Sequence, residues 1–180
     1  TCIEVCADQG SDRANALSLL RSLVDKHLVT RREDANGSVR FGFLETIHAY
    51  ASARLDQSGE LSAIRRRHAA AFAELAELAE RELDSPAQSA WIELLEQERG
   101  NLRRALEWSK FADEPEAAEL GLRIAATLWL FWDVRGHVQE GREPLRELLE
   151  LPGARNRTMA RARALLAQAW LGYVRGDVDE

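Results

Sequence analysis

Few side chains in this sequence have the types and the spacing that chemistry requires. The two cysteines, Cys2 and Cys6, lie four residues apart, and no second pair or suitably spaced histidine accompanies them. A structural zinc site usually takes four ligands, and one isolated pair does not make a disulfide framework. The four histidines fall in separate segments, each without a partner at catalytic spacing. We therefore expect no metal site and no catalytic site.

Aromatic residues form the group with the clearest binding potential. Trp129 and Trp132 lie three residues apart and so share one face of a helix, and Trp170 and Tyr173 repeat that spacing. Two interpretations stay open at this point. The four side chains form a ligand or partner surface, or they are core packing between helix pairs.

Arginines form the third group, because clustered cations can bind nucleic acid. The candidate DNA contacts are Arg21, Arg31, Arg32 and Arg40. Asp25 opposes the first of them, and Glu33 and Asp34 interrupt the others. DNA affinity depends largely on several phosphate contacts together. With 24 basic and 30 acidic side chains the net charge is −6, so we expect no direct DNA binding by this segment.

The elements that must position these groups begin with a short α/β segment. Ser11 and Asp12 are N-cap candidates for a helix over residues 14–26. Residues 28–43 predict two short strands around an Asn36-Gly37 turn, since this dipeptide supplies two positive φ angles. A helix followed by a hairpin is the second half of a winged helix, whose earlier helices we expect before Thr1.

From Glu45 onward the pattern is helical, with breaks at glycine and proline. The predicted helices are 45–57, 61–83, 87–98, 101–111, 116–133, 138–150 and 155–175. Gly59 and Gly100 are expected to end helices. Capping boxes are expected at Ser85 with Gln88 and at Asp113 with Glu116. The longest apolar run, residues 124–132, is too short for the roughly 20 residues that cross a membrane.

A short internal repeat closes the sequence. Residues 134–140 return 40 positions later at 174–180 with five of seven identities, each copy holding a glycine where a first helix should end. We predict a mainly α fold: a partial winged helix with one β-hairpin, then an α-helical array with tetratricopeptide-like helix-turn-helix repeats. The predicted domains are 1–58, a truncated winged-helix segment, 59–112, a helical linker, and 113–180, the repeats, the second of them truncated.

Particular stretches also resemble a known family. Leu-Val-Asp-Lys-His-Leu-Val at 23–29 and residues 40–51 resemble the winged-helix segment that follows the ATPase core in bacterial signal-transduction ATPases of the STAND class. Residues 67–77, Trp-Ile-Glu-Leu-Leu-Glu at 91–96, and residues 101–108 resemble the helical linker of the same proteins. These are the large LuxR-type and AfsR-type transcriptional regulators.

The resemblance implies a longer parent protein. That protein would carry an ATP-binding or ADP-binding switch upstream, a tetratricopeptide sensor downstream and a DNA-binding domain elsewhere. Related switch proteins contact ADP through a Met-His-Asp motif, and Leu44 and Glu45 occupy the last two positions of it here. Leu44 replaces the histidine, so only the acid remains. No Gly-x-x-x-x-Gly-Lys-Ser/Thr loop occurs, so we expect no cofactor in this segment.

These observations predict a non-catalytic regulatory segment in the cytoplasm. The expected partners are the upstream ATPase domain, an unidentified protein or small-molecule effector, and a second copy of the chain, and we expect no membrane contact. We expect Trp170 and Leu171 to be exposed and to drive such self-association. Alternatives from other classes are a DNA-binding winged-helix module, a stand-alone peptide-binding adaptor, and an enzyme with a deep pocket.

Overall fold

The computed structural model describes Val5, residues 13–33, Gly37, residues 39–114 and residues 116–175. These residues are mainly α-helical with one antiparallel β-hairpin, which confirms the predicted fold class at that level. The described elements are α1 (Arg13–Asp25), β1 (Val29–Glu33), β2 (Val39–Phe43), α2 (Glu45–Ser58), α3 (Leu61–Glu82), α4 (Gln88–Phe111), α5 (Ala117–Thr127), α6 (Trp129–Arg135), α7 (Val138–Glu150), a 3-10 turn (Pro152–Arg155) and α8 (Met159–Arg175).

The chain divides into two compact units, Thr1–Ile64 and Arg65–Glu180. The division falls in the first turn of α3. The predicted domain boundaries after residues 58 and 112 stay predictions. We describe each unit by itself.

The first unit holds the hairpin between two helices. Helix α1 ends at Asp25, and in the turn after it His27 has a φ of 58°. The Leu28 N–H donates to the Leu23 carbonyl at 3.0 Å across this turn. Strands β1 and β2 then pair antiparallel, with Arg32 opposite Arg40. The predicted hairpin is confirmed. Gly37 has the positive φ that the turn needs, at 79°, whereas Asn36, Ser11 and Asp12 lie outside the described residues.

The second unit contains the hydrophobic core. The side of α3 that enters it carries one large side chain, Phe72, among alanines at helical spacing, namely Ala69, Ala73, Ala76 and Ala79. Leucines and aromatics of α4 to α8 fill the remaining volume, among them Leu95, Leu122, Phe131, Leu145 and Leu171. Burial of this apolar surface is the main source of stability for such a unit.

Gly100 lies within α4, so the predicted break at this residue is wrong. Buried side chains continue one stripe of the helix on both sides of it, namely Ile92, Leu95, Leu102 and Leu106. A glycine inside a helix costs about 1 kcal/mol relative to alanine. Burying a leucine or isoleucine contributes about 1.5–3 kcal/mol. Packing on both sides therefore outweighs the glycine.

The predicted single helix over 116–133 is two helices, α5 and α6, which meet at Leu128. The Thr127 hydroxyl donates to the carbonyl of Ile124 at 2.9 Å, and this type of bond to the preceding turn bends helices. Leu128 has φ −86° and ψ −2° and is buried at the joint. The chain therefore turns inside the core at this position.

Two helix starts lack the predicted side-chain caps. The Ser85 hydroxyl accepts the N–H of Ala87 at 3.0 Å within a turn, and α4 begins only at Gln88 without a side-chain cap. Glu116 stands at the N-cap of α5 and not three residues inside it, and it makes no capping bond. The capping boxes at Ser85 and Asp113 are therefore wrong. In the same way, a 3-10 turn delays the last helix, predicted from residue 155, until Met159.

Two glycines set the packing of α7. Gly136 ends α6 with φ 70°, as the repeat pattern predicted, and the corresponding Gly176 lies outside the described residues. Gly141 faces the ring of Trp132: a Cβ on this glycine would lie 2.3 Å from Trp132 Cε3. Only a residue without a side chain allows this approach. The indole consequently enters the core of the second unit.

Candidate partner-binding surfaces

Helix α8 has two apolar faces. One is buried in the core of the second unit and consists of Ala160, Ala164, Ala167 and Leu171. The other is exposed, and we call it the α8 stripe: Met159, Ala162, Leu166, Ala169, Trp170 and Tyr173. The exposed fractions are 75% for Met159, 72% for Leu166 and 67% for Tyr173. Large apolar side chains grouped in this way on a folded surface mark interaction sites.

Three aromatic rings meet at the C-terminal end of the α8 stripe. Trp129 on α6 packs edge-to-face against Trp170, with ring centroids 5.5 Å apart, and Tyr173 lies 6.3 Å from Trp170. Trp170 is 46% exposed, and its indole N–H points to Asp133 at 3.5 Å. Aromatic rings with a polar edge are favourable anchors for a partner because they bury a large area at little entropic cost.

The structure thus brings together three of the four aromatic residues that the sequence singled out. Trp132 is the exception, because it is 4% exposed and packs on Gly141. The expectation that Leu171 is exposed is wrong, since its side chain belongs to the buried face of α8. Trp132 is therefore core packing, whereas a partner surface formed by Trp129, Trp170 and Tyr173 stays a prediction.

A second surface is a cleft of about 230 Å³ between α4, α6 and α7. Its apolar floor consists of Leu102, Leu106, Leu128, Phe131 and Trp132, and its walls carry Arg99, Arg103, Glu107, Lys110, Glu140, Glu143 and Pro144. The volume is below the range of roughly 300–1,000 Å³ that drug-sized ligands usually occupy.

Ion pairs cross this cleft and neutralise much of its charge. Arg99 donates to Glu140 from both ends of its guanidinium, with Nε 3.0 Å from Oε2. This bond lowers the pKa of Glu140 and raises the pKa of Arg99. Lys110 lies 2.7 Å from Glu147; burial lowers the Lys110 pKa, but bonds to Glu107 and Glu147 outweigh burial and raise it. The pKa shifts of Arg99, Glu140 and Lys110 all favour the charged forms, so these side chains hold helices together as ion pairs.

Two more ion pairs join α3 to later helices. Glu77 accepts hydrogen bonds from Arg123 of α5 at 2.7 and 3.1 Å, and these bonds lower the pKa of Glu77. Glu80 pairs with Arg163 of α8. Arg163 is thereby held beside the α8 stripe on its own helix. The stripe therefore stands on a helix that is fixed both by its buried face and by a cross-helix ion pair.

The candidate DNA contacts of the first unit do not form one cluster. Arg32 and Arg40 lie opposite each other, so they share a face of the hairpin. Arg31 points to the other face and lies 3.4 Å from Glu33, and Arg21 is exposed on α1. Of the four predicted DNA contacts, only Arg32 and Arg40 are thus shown to be neighbours.

Leu44 and Glu45 lie at the start of α2. Leu44 is the N-cap residue, it is 55% exposed, and its carbonyl accepts the N–H of His48 at 2.8 Å. Glu45 is an exposed acid in the first helical turn, where a negative charge complements the helix dipole. A role in maintaining α2 accounts for both residues, and the nucleotide contact stays a prediction.

Met159 and Leu166 are functional candidates that the sequence analysis missed. The signal was present, because Met159, Leu166 and Tyr173 follow one another at intervals of seven. The sequence alone did not show that this face is exposed, because a second apolar face, rich in alanine, repeats along the same helix. Within the described ranges, no group of three metal-ligating side chains comes together and no helix is long and apolar enough to span a membrane.

Comparison with known proteins places the chain beside bacterial regulators. Three relatives carry the name Putative HTH-type transcriptional regulator, one from Mycobacterium bovis and two from strains of Mycobacterium tuberculosis. Each is 34% identical over 173 residues, which is 93% of this chain and 19% of the relative. No family model matches the chain, and no solved structure matches it significantly. Almost the whole length of this chain is therefore similar to one segment of these regulators. The chain spans about a fifth of the length of each relative.

Proposed function

We propose that this chain is a non-catalytic, protein-interaction segment of a bacterial transcription regulator. The observation that carries the proposal is the α8 stripe, an exposed apolar surface on a helix whose opposite face is buried. Similarity over 93% of the chain to proteins named as transcriptional regulators supports the regulatory context and a cytoplasmic location.

We further propose that the segment couples an upstream nucleotide switch of the STAND class to a downstream sensor of tetratricopeptide-like repeats. Coupling of this kind needs an element that makes different contacts in two states. The second unit suits that role because ion pairs and a continuous core connect its helices. ATP or ADP would bind to the upstream switch of a LuxR-type parent. A change at either end of the unit would then reach the other.

The charged residues support a non-catalytic role. Arg99, Lys110 and Arg123, whose pKa values are all raised, lie within hydrogen-bond distance of carboxylates on other helices. In these ion pairs the cations and carboxylates bind each other and form structural contacts between helices. An enzyme would instead require a nucleophile or general base whose protonation is poised near neutral pH.

The test is a transcript measurement in the source bacterium. Deleting the gene defines the regulated transcripts, and Leu166→Glu is then introduced with Phe111→Glu as a matched control on exposed α4 surface. We expect Leu166→Glu to reproduce the deletion and Phe111→Glu to leave transcription unchanged, at equal protein levels. Normal transcription with Leu166→Glu would contradict a role for the stripe.

One observation favours DNA binding as a second candidate function. Arg32 and Arg40 share a hairpin face, and the relatives are named as HTH-type proteins. If this face binds phosphates, the chain shifts duplex DNA at low salt, and replacing both arginines by alanine removes the shift. A stand-alone peptide-binding adaptor is the remaining variant, and it differs in having no ATPase in the same protein.

A further inference from the structure

The cleft between α4, α6 and α7 is lined by charged side chains of both signs. Most of them are engaged with each other. Arg99 pairs with Glu140 across the cleft, and Lys110 lies 2.7 Å from Glu107 on its own helix. These two pairs involve four of the six charged side chains that line the cleft.

The other two charges are Arg103 on α4 and Glu143 on α7. Both residues are exposed, and within the part of the chain that the structure describes, neither side chain makes a hydrogen bond or an ion pair. The hydrogen bond from Arg99 lowers the pKa of Glu140 most, and the positive charge of Arg103 lowers it further. The charge of Arg103 therefore acts toward the α7 wall of the cleft.

The α7 wall also carries a backbone acceptor, one turn before Pro144. This proline lies inside the helix and has no N–H, so it cannot donate to the carbonyl of Glu140, four residues earlier. Glu140, Glu143 and Pro144 all line the cleft. The α7 wall thus holds a carboxylate and a carbonyl as acceptors, whereas Arg103 on the α4 wall holds the donors of a guanidinium.

The floor and the volume of the cleft restrict what can occupy it. The floor is apolar and includes Leu106 and Phe131. The volume of about 230 Å³ lies below the range of roughly 300–1,000 Å³ for drug-sized ligands. A molecule that complements both walls and the floor is small and carries a carboxylate, an ammonium group and an apolar group.

We propose that this cleft binds an α-amino acid with an apolar side chain. The carboxylate binds Arg103, whose planar guanidinium can donate two parallel hydrogen bonds to it, and the ammonium donates to Glu143. The apolar side chain lies on the floor. The ligand thereby connects α4 to α7, as the Arg99–Glu140 ion pair does. This inference goes beyond the proposed function, because the cleft shares no residue with the α8 stripe, so either can fail without the other.

Equilibrium dialysis of the 180-residue chain against radiolabelled L-leucine and L-phenylalanine tests the binding. We expect saturable binding of at least one of them. Its amide lacks the carboxylate and its N-acetyl derivative lacks the ammonium, so each should bind about tenfold more weakly because one charged wall stays unpaired. No saturable binding of either amino acid, or equal affinity for the amino acid and both derivatives, would overturn the proposal.

Variants of the two unpaired charges test the location. Arg103→Gln should weaken binding of the amino acid about tenfold and remove its advantage over the amide. Glu143→Gln should weaken it similarly and remove the advantage over the N-acetyl derivative. The controls Arg104→Gln and Glu150→Gln lie at exposed positions of the same two helices outside the cleft and should leave binding unchanged. Circular dichroism checks that each variant is folded. Binding that survives both Arg103→Gln and Glu143→Gln would overturn this cleft as the site.

Discussion

His68 on α3 is a partly buried titratable side chain of the second unit. Its ring lies tilted by 41° against the ring of Phe72 with centroids 4.6 Å apart, and Asn101 hydrogen-bonds to it. Burial and the nearby Arg104 lower the pKa of His68, while Asn101 and Glu98 partly oppose them. The folded state therefore holds this imidazole in its neutral form over a wider pH range than the unfolded chain does.

This shift predicts a pH dependence of folding. Because the pKa is lower in the folded state, the unfolded chain takes up the proton first as pH falls. The free energy of unfolding should be constant in this respect above about pH 6.5, and should decrease as pH falls below 6.5 toward the folded pKa. Urea unfolding at several pH values measures the effect. His68→Gln should flatten the curve in that window, and an unchanged slope would contradict the assignment.

For single residues, the sequence predicted which side chains share a helix face better than it predicted which side chains are buried. Trp132 and Tyr173 both precede a Val-Arg-Gly segment of the internal repeat, yet the first is buried and the second is exposed. Periodicity states which residues share a face but not which face turns inward. Trp132 is buried because Gly141 has no side chain and so leaves room for the indole. No local rule around Trp132 contains that information.

Two glycines lie inside helices, and the space around their Cα atoms differs. Gly141 in α7 touches Trp132 and Leu171, whereas Gly100 in α4 has no other atom within 4 Å of the position a Cβ would take. The same substitution should therefore have opposite effects on the two helices.

We predict that Gly141→Ala lowers the free energy of unfolding by about 1–3 kcal/mol, because the indole must move in a close-packed core. Gly100→Ala should raise it by roughly 0.5–1 kcal/mol, because alanine restricts the unfolded chain and favours the helix. Chemical denaturation of the two variants beside the parent chain measures both. Equal effects of the two substitutions would show that the close approach at Gly141 is not present.

Element boundaries were predictable where the backbone itself decides them. Gly59 and Gly136 end helices with positive φ, and the hairpin forms where the sequence places it. The failures occur where tertiary packing decides: Gly100 continues a helix because leucines bury on both sides, and Thr127 bends one by a hydrogen bond to its own helix. The exposed face of α8 was missed for the same reason.

For the whole molecule, the helical character and the hairpin were predictable from the sequence, and the candidate binding surface only in part. The sequence located the aromatic group but included Trp132 and omitted Met159 and Leu166. The nucleotide switch, the repeats over 113–180 and the effector stay predictions. The proposed function requires that a partner covers the α8 stripe in the cell.

Cysteine accessibility in cells tests that claim most directly. Leu166→Cys and, as control, Phe111→Cys are each placed in the Cys2→Ser, Cys6→Ser background and labelled with a membrane-permeant maleimide. In dilute purified protein both thiols should react at similar rates, since both parent side chains are highly exposed. In cells, we predict that the thiol at position 166 reacts at least several-fold more slowly than the thiol at position 111. Equal labelling of the two thiols in cells would contradict the account.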